Sequence, residues 1–214
     1  MSETLLDVAD VRVDARHWIG GQRVPSADTF DDLSPIDGTV IGQVARGGSA
    51  EVDAAVGAAR EAFPAWAALG PQGRGEILHR VADGVEARLE EFAQLETRDN
   101  GSLLRSHRRG VMPRVATNIR FFADYAMNDL KHPEFETRGH TNVVSWDPAG
   151  VAAIITPWNA PLMLATWRIG PALASGDTVV LKPPEWAPLT ASLFAEVTAA
   201  AGMPPDRKST RLNS

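Results

Sequence analysis

The 214-residue sequence contains no cysteine. That excludes a disulfide scaffold, a thiolate-ligated zinc or iron–sulfur site, and a cysteine nucleophile within the chain. Positive charge is scarce. The 21 Lys and Arg face 27 Asp and Glu, for a formal net charge of −6, so there is no basic surplus of the kind nucleic-acid binders carry. No apolar run approaches the roughly 18 residues of a membrane span. The longest, residues 150–156, is short and β-branched. The first ten residues are acidic and have neither the basic nor the apolar stretch of a secretory signal. Walker A and GxGxxG motifs are missing, so no glycine-rich phosphate loop is supported. His17, His79, His107, His132 and His140 lack metal-ligand spacing. These absences predict a cytoplasmic protein with no metal site and no nucleic-acid or membrane partner.

What is present suits a globular chain of one or two domains. Hydrophobic residues make up 44% and charged residues 22%, enough to bury a core. Trp18-Ile19-Gly20-Gly21-Gln22-Arg23-Val24 predicts a hairpin, with two glycines supplying the positive φ of its turn. Residues 34–42 place a turn before another short strand. Three helices are expected next. The first opens at Ser49 as N-cap, buries Val52, Ala55, Val56, Ala59, Phe63 and Trp66, and ends or bends near Pro64. The second covers about 73–97, with Ile77, Leu78, Val81, Val85, Leu89, Phe92 and Leu95 as its stripe and Asp99-Asn100-Gly101 as its stop. The third covers about 115–130, with Ile119, Phe122 and Ala126 inward. These stripes read as core. The basic run 105–109 reads as a solvated helix face.

Residues 131–148 are polar, with one exposed strand at 141–146. The pattern then changes. Residues 151–156 and 178–181 are continuous apolar runs, as expected for strands covered on both faces. A helix fits between them, closed by Gly176. Strand, helix, strand at this spacing is a βαβ unit with parallel strands. A last helix covers about 188–201, ending at Gly202.

Two clusters carry candidate chemistry. Asn159 follows the first of these strands, between Pro157 and Pro161, at the carboxyl end where open α/β sheets bind ligands. An amide held there suits donation to an oxyanion; the alternative is an asparagine capping the next helix. Lys182-Pro183-Pro184-Glu185 follows the second strand. A lysine and a glutamate on a proline-stiffened loop suit a diol such as ribose; the alternative is a surface ion pair. Trp186 could flank an adenine or cap a core, and the core reading is preferred.

Thr156-Pro157-Trp158-Asn159-Ala160-Pro161, the stretch from Gly170 through Ala174-Ser175-Gly176-Asp177-Thr178 to Lys182-Pro183, then Glu185 and Pro188-Leu189-Thr190-Ala191 together resemble the aldehyde dehydrogenase superfamily. The likeness extends upstream through Trp18-Ile19-Gly20-Gly21 and Glu96-Thr97-Arg98-Asp99-Asn100-Gly101, over roughly residues 15–205. The resemblance implies an α/β fold with a partial Rossmann-type parallel sheet, preceded by hairpins and helices. It implies oxidation of an aldehyde to a carboxylic acid with NAD, NADP being disfavoured by Glu185. In such enzymes a cysteine thiolate attacks the aldehyde, hydride passes to the nicotinamide, and a glutamate base assists hydrolysis of the thioester. By resemblance, Asn159 is the oxyanion donor. Ile155, Thr156, Pro157, Trp158, Lys182, Pro183, Pro184 and Glu185 bind the cofactor.

The implied organisation is 1–130 for the N-terminal hairpins and helices, 131–148 for the start of an oligomerisation arm, and 149–205 for the βαβ part of the cofactor domain. The implied parent enzyme is a homodimer or homotetramer. Family members are more than twice this length, so the chain reads as an N-terminal fragment without catalytic domain or thiol, inactive alone. Residues 206–214 read as a non-native tail, similar to a translated sequencing adapter. The alternative is a natural short protein that binds a nucleotide or a partner without catalysis.

Overall fold

A computed structural model of the chain describes residues 5–130 and 132–204. The expectation for 206–214 lies outside the described residues, as does Lys131 at the start of the expected arm. The architecture is mixed α/β: three N-terminal hairpins, a helical layer, an exposed hairpin, and a parallel βαβ unit followed by a helix.

Strands β1 (Leu5–Val8) and β2 (Val11–Asp14) form an antiparallel hairpin that buries Leu6, Val8, Val11 and Val13. Its turn puts Ala9 and Asp10 at positive φ. Neither residue is a glycine, so the usual turn signal is missing. The pair β3 (His17–Ile19) and β4 (Gln22–Val24) matches expectation, with Gly20 at φ 58° and Gly21 at φ 74°. The third hairpin pairs β5 (Thr29–Leu33) with β6 (Val40–Ala45).

Helix α1 (Ser49–Ala68) is capped by Gly48, not Ser49. The Gly48 N–H donates to Glu51 Oε2 at 2.7 Å, so the carboxylate of the first turn supplies the cap. The helix continues past Pro64 to Ala68. Only part of its expected stripe is buried: Ala59 and Trp66 are, while Val52 is 53% exposed. The expected second helix is two helices, α2 (Gly70–Ala87) and α3 (Leu89–Asn100). The break falls at Arg88 (φ −109°, ψ 20°), whose guanidinium holds Glu91 and Glu196. No glycine or proline marks this break. Gly101, at φ 77°, ends α3 as expected.

The third expected helix starts earlier. A short turn, α4 (Leu104–Ser106), leads through a π-helical turn at His107–Val111 into α5 (Met112–Asp124), and a second π-helical turn follows at Tyr125–Asp129. His107 is 1% exposed, so the basic run is not wholly a solvated face. The expected single strand at 141–146 is instead a hairpin, β7 (Glu134–Thr137) with β8 (His140–Val143). Arg138 and Gly139 at positive φ make its turn.

The βαβ unit is present. Strands β9 (Val151–Ile155) and β10 (Thr178–Lys182) are parallel, with Lys182 beside Ile155, and α6 (Pro161–Ser175) crosses between them. Helix α7 (Leu189–Ala200) follows. The strands are not covered on both faces as their apolar runs suggested. In β9 only Ile154 is buried, and Ile155 is 73% exposed. The sheet has two strands among the described residues, so each strand has one edge without a strand partner there. The helical side is well packed. Trp66 Nε1 donates to the Leu173 carbonyl at 3.0 Å, and Thr178 Oγ1 to the Ala59 carbonyl at 2.8 Å, joining α1 to the βαβ unit. No helix of the described residues is long and apolar enough to cross a membrane.

Candidate functional site at the carboxyl edge of the sheet

Parallel pairing sends the chain out of β9 and β10 at the same edge. The Thr156 N–H donates to the Lys182 carbonyl at 3.3 Å, carrying the ladder one residue past β9. Thr156 is buried, while Pro157, Trp158 and Asn159 are exposed. Pro161 occupies the first turn of α6, where its missing N–H costs nothing. The cap of α6 is Ala160, with no side-chain capping bond. Asn159 is therefore not the helix cap, and it is exposed at the edge.

On the second strand, Lys182 Nζ donates to Glu185 Oε1 at 2.5 Å. Both side chains are more than half exposed. The lysine holds the Glu185 carboxyl below the usual glutamate range, with a smaller contribution from Arg46. Pro184 is buried and Pro183 half-buried, so the loop is seated. Trp186 is not in a core. It is 71% exposed, and its ring lies 6.1 Å from that of Trp158, tilted by 54°. The two loops thus touch through indoles. The fold brings Ile155, Thr156, Pro157, Trp158 and Asn159 to one edge with Lys182, Pro183, Pro184 and Glu185. A cavity of about 680 Å3 opens beside β10, lined by α1, α7 and the Lys182-to-Glu185 loop; no residue of 155–159 lines it.

Behind the edge lies a cluster the sequence reading did not single out. Asp32, Glu96, Asp99 and His107 are each at most 1% exposed. The Asp32 and Asp99 carboxyls meet, and burial drives both upward, with Asp32 adding repulsion on Asp99. Burial pushes Glu96 up to about 7 and lowers His107. Glu96 Oε1 lies 3.8 Å from His107 Nδ1. A signal existed: Glu96 and Asp99, three apart, share a helix face with Phe92 and Leu95, which is an inward face. Among the described residues no three His, Asp or Glu side chains converge to hold a metal ion.

The fold and this edge define a mixed α/β protein with two exposed loops at one end of a parallel strand pair. Comparison with known proteins narrows the class. The sequence profile of the aldehyde dehydrogenase family matches residues 23–207, and the chain belongs to that family. It is 46% identical over 200 residues to 2-hydroxymuconic semialdehyde dehydrogenase of Pseudomonas sp. (strain CF600), covering 88% of this chain and 40% of that protein. It is 43% identical over 190 residues to 2-aminomuconic semialdehyde dehydrogenase of Danio rerio, covering 88% and 39%. Among solved structures, PnpE of Pseudomonas sp. WBC-3 superposes with a TM-score of 0.85 at 40% identity, covering 89% of this chain and 40% of that one, and PnpE is also solved with nicotinamide adenine dinucleotide. The chain spans about 40% of the length of these relatives.

Proposed function

We propose that this chain forms the oxyanion-donor and nucleotide-ribose parts of an NAD-dependent dehydrogenase that oxidises an aldehyde to a carboxylic acid. The observation that carries the reading is the placement of Asn159 and the Lys182–Glu185 pair at one edge of β9 and β10. The names of the relatives favour a semialdehyde substrate. An exposed cation and carboxylate beside the open ends of two parallel strands fit a dinucleotide ribose. When bound, that cofactor supplies a hydride acceptor.

The residues of the chain divide the remaining work. Lys182 donates to a ribose hydroxyl and Glu185 accepts from one. The Glu185 charge repels a 2′-phosphate, which favours NAD over NADP. Backbone groups of residues 155–158 border the cofactor. The Asn159 side-chain N–H donates to the carbonyl oxygen as it gains charge, a contact stronger in the transition state than in the substrate. The thiol that attacks the aldehyde comes from outside this sequence, which has no cysteine. The exposed β7–β8 hairpin is the start of the arm through which the complete enzyme assembles as a homodimer or homotetramer.

Titration of the chain with NAD and with NADP, read by tryptophan emission, tests the reading because Trp158 and Trp186 flank the edge. A saturable response that is stronger for NAD supports it. No response to either nucleotide overturns the nucleotide assignment. With NAD and an aldehyde, the chain alone is expected to form no NADH.

A further inference from the structure

The buried acidic cluster is costly. Isolated carboxyls in a dry interior lose their hydration and regain it only through donors. Glu96 Oε1, Asp99 Oδ1, both Asp32 carboxyl oxygens and both ring nitrogens of His107 have no well-aligned hydrogen-bond partner. The oxygens that are engaged point to the first turn of α7. The Leu189 N–H, first in α7, donates to Asp99 Oδ2 at 2.8 Å. The Thr190 hydroxyl donates to Glu96 Oε2 at 3.1 Å. Acceptors at a helix's first turn match the donors left open there and the positive end of the helix dipole.

That first turn directly follows the second loop of the edge: Glu185 lies four residues before Leu189. We propose that Glu96 and Asp99 are positioning residues: from α3 they pin the first turn of α7 and so fix the loop that presents the Lys182–Glu185 pair. Asp32 from β5 lies beside Asp99, where burial raises both carboxyls, and burial lowers His107, which favours its neutral form. No Lys or Arg is among the groups acting on Glu96 or Asp99, so hydrogen bonds rather than ion pairs do the pinning.

The inference rests on the proposed cofactor role, and steady-state kinetics in the complete dehydrogenase separates the two. Asp99→Ala is expected to raise the KM for NAD about tenfold with kcat within about twofold. Glu96→Ala should raise that KM likewise, and Glu96→Gln, which keeps an acceptor, should restore it. Thr190→Val removes one hydroxyl and leaves the carboxyls in place, so it should raise the KM for NAD several-fold without threatening folding. If Lys182→Ala raises the KM for NAD while the Asp99, Glu96 and Thr190 variants keep wild-type constants, the positioning role is overturned and the site reading stands. If all three variants lose activity alike and Glu96→Gln rescues nothing, the cluster is only structural and the proposal is likewise overturned. If Lys182→Ala and Asn159→Ala change nothing, the site reading falls and the inference with it.

Discussion

Under the proposed roles, Asn159 and Lys182, at the same end of the β9–β10 pair, act at different moments. An oxyanion donor contributes mainly in the transition state, a ribose donor in both ground and transition states. Asn159→Ala in the complete dehydrogenase is therefore expected to cut kcat by about 10²–10³ with little change in NAD affinity. Lys182→Ala should instead raise the KM for NAD. Equal turnover in the Asn159 variant would remove it from the oxyanion role. Glu96 offers a measurement that needs no cofactor. Its native pKa of about 7 exceeds the 4.5 of an exposed glutamate, so the native state holds the proton more tightly than the unfolded chain. The stabilisation is complete below pH 4.5 and is lost as pH rises through about 7. The loss is roughly 3 kcal/mol. Glu96→Gln has no proton to lose, so relative to wild type it gains about that much across the same window. Denaturant melts from about pH 4.5 to about pH 8 measure the difference; parallel profiles for the two proteins would show that Glu96 is not the titrating group.

At the scale of elements, the βαβ unit was legible because three independent signals agreed: two apolar runs, a helix-length spacer, and glycine at the helix end. Gly176 has φ 107°, and a Cβ there would lie 2.6 Å from Pro148 Cγ. Gly176→Ala is expected to cost about 2–4 kcal/mol, from left-handed strain plus the clash, and to lower Tm by several degrees. A calorimetric scan showing an unchanged Tm would refute the close approach. Buried Arg74 makes the same junction more demanding, since it donates to the Ala174 and Ala67 carbonyls at the ends of α6 and α1. Other elements were illegible for stated reasons. No local breaker marks the change at Arg88, whose guanidinium is held by Glu91 three residues on and, across the fold, by Glu196. The β1–β2 turn uses Ala9 and Asp10 where a hairpin signal needs glycine or asparagine. The loops at the edge were readable as a motif, and the inward face of Glu96 and Asp99 follows from their spacing to Phe92 and Leu95, but the Trp158–Trp186 contact and the reach of Glu96 and Asp99 to α7 join residues distant in sequence, which no local pattern encodes.

At the scale of the molecule, a closed core coexists with open apolar surface at the carboxyl end of the strand pair and on α1. Core side chains such as Phe92, Leu95, Ile119 and Leu193 are at most 1% exposed. Ile155 is 73%, Trp186 71%, Trp158 54% and Val52 53% exposed. The α1 face and the outer side of β10 line the cavity of about 680 Å3. A two-stranded parallel sheet with uncovered apolar surface offers both an edge for strand addition and a face for association. The net charge of −6 opposes close approach only weakly at physiological ionic strength, where charges more than about 8 Å apart are screened. The isolated chain is therefore expected to self-associate as its concentration rises, and more so in high salt. Val52→Lys places a charge on the cavity wall at a helix position that already contacts solvent, so the native fold tolerates it while an apolar contact there does not. That variant should shift the sedimentation profile toward monomer without lowering Tm. Sedimentation of the wild-type chain as a monomer at all concentrations, together with a cooperative melt, would mean that the open apolar surface is stable in water and that no covering layer is needed.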